Sequence, residues 1–195
     1  MLDEDIPMND NLSIILLEYE KLKEEQISRI STRDSLIYIT LGIFGAIFSF
    51  SVLNNQYLYS LLIIPVVSFV LGWVYITNDE KISNIGKYIR EDLFKAIKEE
   101  APNIKDDYLL HWEIKHRSDE LRIFRKITQF FVDLTTFSAS SFASIAIFMM
   151  YSSKVNESSL YIIYIDGILC FFITMLILFH ADFKKSEPSS HNEQP

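Results

Sequence analysis

The sequence predicts an all-α, polytopic membrane protein with two transmembrane helical hairpins (four spans) and cytoplasmic amphipathic helices. Hydrophobic residues make up 49% of the chain, and they concentrate in two blocks, 36–77 and 130–180, with most of the charge between them. A soluble domain spreads its apolar residues along amphipathic elements, so this segregation indicates two different solvents. Long stretches without any charged residue, such as 36–53, are typical of membrane spans.

The first block contains two uncharged stretches, 36–53 and 58–77, joined by a short link at 54–57. Each stretch is about long enough, at 1.5 Å per residue, to cross a hydrocarbon core of roughly 30 Å. The second block contains spans 130–151 and 160–180. The alternative, a water-soluble four-helix bundle, needs polar faces at helical spacing, and the first two stretches have none.

The distribution of basic residues predicts the orientation of the spans. All but one of the 18 Lys and Arg residues lie outside the two links between paired spans; the exception is Lys154. Cytoplasmic segments carry the excess of Lys and Arg. We therefore expect the N-terminus, the central segment and the C-terminus to be cytoplasmic, with both links on the opposite side of the membrane.

Five segments follow from this topology: an N-terminal amphipathic helix (1–35), the first hairpin (36–77), a cytoplasmic helical segment (78–129), the second hairpin (130–181) and a disordered tail (182–195). Asp79 is predicted to cap a new helix in the central segment, and Pro102 is predicted to end it. A further helix is expected to begin near residue 106 and lead into the third span.

Composition excludes several classes of function. The net charge is −8, and no basic patch stands free of acids, so nucleic acid is not an expected partner. The single cysteine, Cys170, excludes a disulfide framework and a thiolate metal site. The chain lacks a glycine-rich phosphate loop, a nucleophile elbow and a His-Glu-x-x-His pair. We therefore expect no enzyme activity, no cofactor and no metal.

Two acidic residues lie in the predicted spans: Asp133 in the third and Asp166 in the fourth. A charged Asp at the bilayer centre costs about 2.5–3.5 kcal/mol on insertion scales, and both residues are expected to lie close enough to a span end for water to lower that cost. The structural interpretation places each carboxylate against neighbouring helices or interfacial water. The functional interpretation is an ion path or proton relay, to which the hydroxyl residues of the third span would contribute.

Three motifs resemble those of a group of functionally uncharacterised small bacterial integral membrane proteins. They are Glu25-Gln26-x-x-Arg29-Ile30-x-x-Arg33-Asp34, Leu71-Gly72-Trp73-x-Tyr75-x-x-Asn78-Asp79 and Ile85-Gly86-x-Tyr88-Ile89-Arg90. The resemblance implies bacterial origin and a plasma (inner) membrane location, and it transfers no active site. In the predicted hairpin, residues 33–34 enter the first span where residues 78–79 leave the second. We therefore expect a polar cluster at the cytoplasmic face, formed by Arg33, Asp34, Asn78 and Asp79.

Two functional hypotheses remain open. The first is a non-enzymatic multi-pass membrane module that forms a homo-oligomer or binds a cytoplasmic protein through its helices. One version of it is a membrane-perturbing effector in bacterial defence or stress response. The alternative is a small ion channel or transporter that uses the intramembrane residues Asp133 and Asp166.

Overall fold

The computed structural model describes residues 10–53, 55–102, 122–152 and 156–181. These residues are helical apart from short connections and contain no strand. In chain order the elements are α1 (Asp10–Leu53), a 3₁₀ helix (Asn55–Ile63), α2 (Ile64–Tyr88), a π-helical segment (Ile89–Leu93), α3 (Phe94–Glu100), α4 (Arg122–Asp133), a second π-helical segment (Leu134–Ala139), α5 (Ser140–Tyr151) and α6 (Glu157–His180).

Four helical stretches are long and apolar enough to cross a membrane: Asp10–Ser51, Tyr57–Glu100, Ile123–Tyr151 and Glu157–His180. This confirms the prediction of an all-helical chain with four such helices. Large apolar side chains also remain exposed along them, including Met150 (79% exposed) and Phe179 (81% exposed). Soluble monomers rarely leave large contiguous apolar patches exposed, so the exposed faces suit a lipid environment.

The second span differs from the prediction at both ends. Residues 55–57, expected in a link, belong to the 3₁₀ helix that leads directly into α2. The change to α-helix occurs next to Pro65, because the proline ring opposes an α-helical turn formed with the preceding residues. Asp79 was predicted to cap a new helix, and this is wrong: α2 continues through it to Tyr88. A single Asp is tolerated inside a helix when adjacent turns supply the hydrogen bonds.

Other boundaries lie close to those expected. Helix α3 ends at Glu100, just before Pro102, which confirms the predicted stop. The fourth span begins at Glu157 rather than at residue 160. The expected start of a helix near residue 106 and the predicted disordered tail, 182–195, lie outside the described residues. The five-segment division stays a prediction.

The described residues fall into two compact units, each formed from separate parts of the chain. In the first unit, residues 10–32 of α1 pack against residues 78–100. The contacts Asn11–Glu100, Glu18–Tyr88 and Gln26–Ile82 run in opposite directions along the two stretches, which are therefore antiparallel. Their apolar core is formed by Ile89, Leu93 and Ile97, with Leu12, Ile15, Tyr19, Leu22 and Ile85 packed around it.

The second unit contains residues 33–53, 55–77, 123–152 and 156–181. One core cluster joins all four apolar helices: it consists of Leu36, Tyr75, Phe137, Ile173 and Ile177. A second cluster joins the end of α1, the 3₁₀ helix and α5: it consists of Phe44, Leu58, Leu61, Leu62, Ile64 and Phe148. Gly72 lets α2 come close to two members of the first cluster, Phe137 and Ile173.

Candidate functional site

Two residues of the predicted cytoplasmic cluster, Arg33 and Asp34, form an ion pair with each other. Arg33 donates to Asp34 through Nε and Nη2, at 3.1 and 3.0 Å from Oδ1. Both belong to the second unit, whereas Asn78 and Asp79 belong to the first. Asn78 pairs with Arg29. The ion pair between Arg33 and Asp34 is therefore observed, and the four-residue cluster stays a prediction.

Arg29 and Asn78 form a reciprocal contact inside the first unit. The Asn78 amide donates to the Arg29 carbonyl oxygen at 2.6 Å, and Arg29 Nη1 donates to Asn78 Oδ1 at 3.3 Å. Arg29 is also held by Glu25, one helical turn earlier, at 2.6 Å. Asn78 is only 8% exposed, so this contact fixes the register of the two stretches where they enter the unit. Sequence reasoning placed Asn78 at this end but did not predict its contact with Arg29.

A second polar contact lies in the other unit, near the end of α4. Gln129 Nε2 lies 2.6 Å from the Tyr75 hydroxyl oxygen and 2.9 Å from Asp133 Oδ1. The amide carries two hydrogens, so both bonds form at once. Asp133, one of the two predicted intramembrane acids, is therefore partnered by its own helix. Gln129 had no distinguishing signal in the sequence, because it lies one residue before the apolar stretch.

Hydroxyl groups surround the second π-helical segment. The Phe137 carbonyl oxygen accepts from Ser68 at 2.5 Å and from Ser141 at 2.7 Å. The Ser140 amide bonds to the Thr135 carbonyl, five residues earlier, which is the π-helical pattern. The Ser138 and Thr174 hydroxyls lie 2.9 Å apart and connect this segment to α6. These side chains satisfy backbone carbonyls and allow close helix packing, as small hydroxyl residues do in membranes.

Asp166 differs from Asp133 in its surroundings. Its side chain is 1% exposed, and its Oδ2 atom has no hydrogen-bond partner among the described residues. The residue was expected to lie near a span end, where water lowers the cost of its charge. Neighbouring helices cover the carboxyl group, as the structural interpretation expected, whereas its nearness to a span end stays a prediction. A rise of 1.5 Å per residue places it about 14 Å from Glu157 and about 21 Å from His180.

The described residues offer few side chains that could bind a metal ion. No group of three or more His, Cys, Asp and Glu side chains is arranged to hold a metal there. Cys170 is a free, buried thiol, within hydrogen-bonding reach of Ser141 and close enough to Asp166 to interact electrostatically.

The arrangement as a whole consists of a self-contained helical pair and a membrane-compatible helical unit with a buried acid. No protein-family model, curated protein or solved structure matches the chain. The resemblance to small bacterial membrane proteins therefore stays a prediction, and any function has to be argued from the residues themselves.

Proposed function

We propose that the chain is a non-enzymatic, multi-pass module of the bacterial plasma membrane that assembles into a homo-oligomer. In this proposal the four apolar helices form two hairpins, and the first unit lies in the cytoplasm together with both termini. The basic residues on one side support this orientation, since all but one lie outside the links. The membrane thus anchors a helical pair that is free to meet other copies.

One observation carries the proposal. The helical pair of the first unit has its own apolar core, yet α1 leaves Ile14, Leu17 and Ile27 exposed at 65%, 55% and 64%. These residues are not the ones that pack on Ile89, Leu93 and Ile97. Burial of apolar surface gives about 25 cal/mol per Å², so three such side chains on each copy provide a substantial drive for association.

The exposed polar residues nearby set the orientation of such a contact. Lys21 and Glu24 lie between Leu17 and Ile27 on α1 and bond to each other at 2.8 Å, with side chains 63% and 58% exposed. An exposed pair of this kind contributes little to the stability of one chain. At the edge of an interface between copies, opposite charges favour correct register and disfavour wrong partners.

The mass of the purified protein in detergent tests the proposal. The full chain is expected to be an oligomer by light scattering coupled to size exclusion. The triple variant Ile14→Ser, Leu17→Ser and Ile27→Ser is expected to shift toward the monomer, because it removes the exposed apolar groups while leaving the core intact. A matched control, Lys87→Ser with Glu91→Ser, removes an equally exposed ion pair from the other stretch of the first unit and should leave the mass unchanged.

A monomeric wild-type chain would contradict the proposal, and so would a triple variant with the wild-type mass. Orientation is tested separately with reporters fused after Pro195 and within the link 152–159. Cytoplasmic reporter activity is expected after Pro195 and activity on the opposite side for the link. The reverse pattern would contradict the topology without affecting the result on assembly.

A further inference from the structure

Asp166 is the buried ionisable group that packing alone does not explain. Its carboxyl group is 1% exposed, and one oxygen lacks a hydrogen-bond partner among the described residues. A carboxylate buried in this way is strongly unfavourable unless a proton or a cation neutralises it. Such groups in membrane proteins commonly mark paths for protons or ions.

Few charged groups are available to neutralise Asp166. On α6 itself, the Cys170 thiol lies one turn away and interacts electrostatically with Asp166. The other titratable groups of the helix are the exposed Tyr161 and Tyr164 and, at its two ends, Glu157 and His180. Helix α6 packs on the 3₁₀ helix, the π-helical segment Leu134–Ala139 and α5, and on α2 through Phe69 and Gly72. In these elements, with α2 taken over its apolar residues 64–77, no Lys, Arg or His occurs. The titratable groups are tyrosines: the exposed Tyr57, Tyr59 and Tyr151, and the buried Tyr75, whose hydroxyl bonds to Gln129.

The chemistry of the surroundings favours a proton over a metal cation. Hard cations such as Ca²⁺ take about six to eight oxygen ligands, whereas the described residues provide no cluster of acidic or other metal-binding side chains. The nearby Ser141 and Ser144 hydroxyls already donate to the carbonyls of Phe137 and Ser141, at 2.7 and 2.8 Å. A proton needs only the free Asp166 oxygen.

Hydroxyl groups lie on both sides of Asp166 along α6. Ser138 forms a hydrogen bond with Thr174, and Ser141 forms one with Cys170. The third span and α6 are therefore antiparallel. One further turn in this antiparallel register places Ser144 at the level of Asp166. Ser144 is 2% exposed. Toward the start of α6, the buried Ser159 lies 3.4 Å from the hydroxyl oxygen of the exposed Tyr59.

We propose that Asp166 is a proton-binding site in the interior of the second unit, and that proton conductance through the protein depends on it. The proton binds at the unpartnered carboxyl oxygen and forms the neutral acid, and it leaves from the same atom, which restores the carboxylate. The hydroxyls on either side offer oxygen atoms along which a proton can approach. This inference does not rest on the proposed oligomer, because every group it uses belongs to one chain.

Proton flux into liposomes tests the proposal. The full-length protein is reconstituted into vesicles that enclose a pH-sensitive dye, and flux is driven by a potassium gradient with valinomycin. The wild-type protein is expected to admit protons faster than protein-free vesicles. Asp166→Asn is expected to reduce that flux about tenfold or more, since tenfold corresponds to about 1.4 kcal/mol of barrier. Asp166→Glu, which keeps a carboxyl group, should retain flux.

Asp133→Asn is the matched control, because it makes the same chemical change in another span at a carboxylate that already has a partner. It should conduct like the wild type. Size exclusion of each variant before reconstitution shows whether it is folded, and Asp166→Glu keeps the proposal testable if Asp166→Asn is not. The proposal is overturned if wild-type vesicles match empty ones, if Asp166→Asn conducts normally, or if flux follows Na⁺ instead of pH.

Discussion

Gly72 gives a sharp test of the packing in the second unit. A Cβ atom at this position would lie 2.7 Å from Ile173 Cδ1, 3.1 Å from Ile173 Cγ1 and 3.3 Å from Phe137 Cδ1. Carbon atoms in good contact are about 3.5–4.0 Å apart. Ile173 is 1% exposed and Phe137 is fully buried, so neither can move aside freely. Overpacking of this kind typically costs about 1–3 kcal/mol.

Gly167→Ala is the matched control for Gly72→Ala. A Cβ atom at Gly167 meets nothing within 4 Å, and the residue also lies inside a membrane-compatible helix. Replacing a helical Gly by Ala gains about 0.5–1 kcal/mol at both positions. This gain cancels in the comparison. The difference between the two variants therefore isolates the overpacking cost, and we expect Gly72→Ala to be about 1–3 kcal/mol less stable than Gly167→Ala.

The assay is reversible unfolding in mixed detergent micelles, with SDS as the denaturant and far-ultraviolet circular dichroism as the signal. Gly72→Ala should unfold at a lower SDS fraction than Gly167→Ala, and the latter should unfold at or above the wild-type midpoint. Equal midpoints for the two variants would refute the close approach of α2 to Phe137 and Ile173. A stabilised Gly72→Ala protein would refute it more strongly.

Three further predictions concern polar and apolar contacts. Asn78→Ala should destabilise the protein by about 1–3 kcal/mol because it leaves its partner groups unpaired, whereas the exposed control Asn84→Ala should have little effect in the same unfolding assay. Tyr75→Phe and Gln129→Leu should show a coupling energy of about 0.6–1.7 kcal/mol in a double-mutant cycle; additive effects would exclude their hydrogen bond. Leu93→Ala should cost about 2–5 kcal/mol and increase amide hydrogen exchange in residues 10–32; unchanged exchange would show that the core of the first unit does not hold α1.

The sequence was sufficient to predict the four apolar helices, because membrane crossing imposes a minimum length and excludes charge. The stop at Pro102 was equally predictable, since proline disrupts the continuing helix. The start of a new helix predicted at Asp79 was wrong, because α2 continues through this residue. Polar residues that follow an apolar span mark a change of solvent, and a change of solvent does not require a break in the helix.

Partners of polar side chains were much harder to predict. Asn78 bonds to Arg29, and Gln129 bonds to Tyr75; neither pairing follows from helical periodicity, which gives the face of a residue but not its neighbour. The surroundings of Asp166 stayed open between neighbouring helices and interfacial water, because burial depends on which helices cover the residue. The two π-helical segments also left no clear mark, apart from the concentration of hydroxyls near residues 135–141.

The π-helical segment Leu134–Ala139 makes chain length a structural constraint in this region. Such a segment accommodates one residue more than a regular α-helix would. Deleting one residue between 134 and 139 would restore regular winding, and α4 would turn by about 100° relative to α5. Gln129 would then face away from Tyr75 while Ser141 kept its place. The extra residue thus sets the rotation of α4 relative to α5. That rotation in turn determines whether Gln129 reaches the Tyr75 hydroxyl.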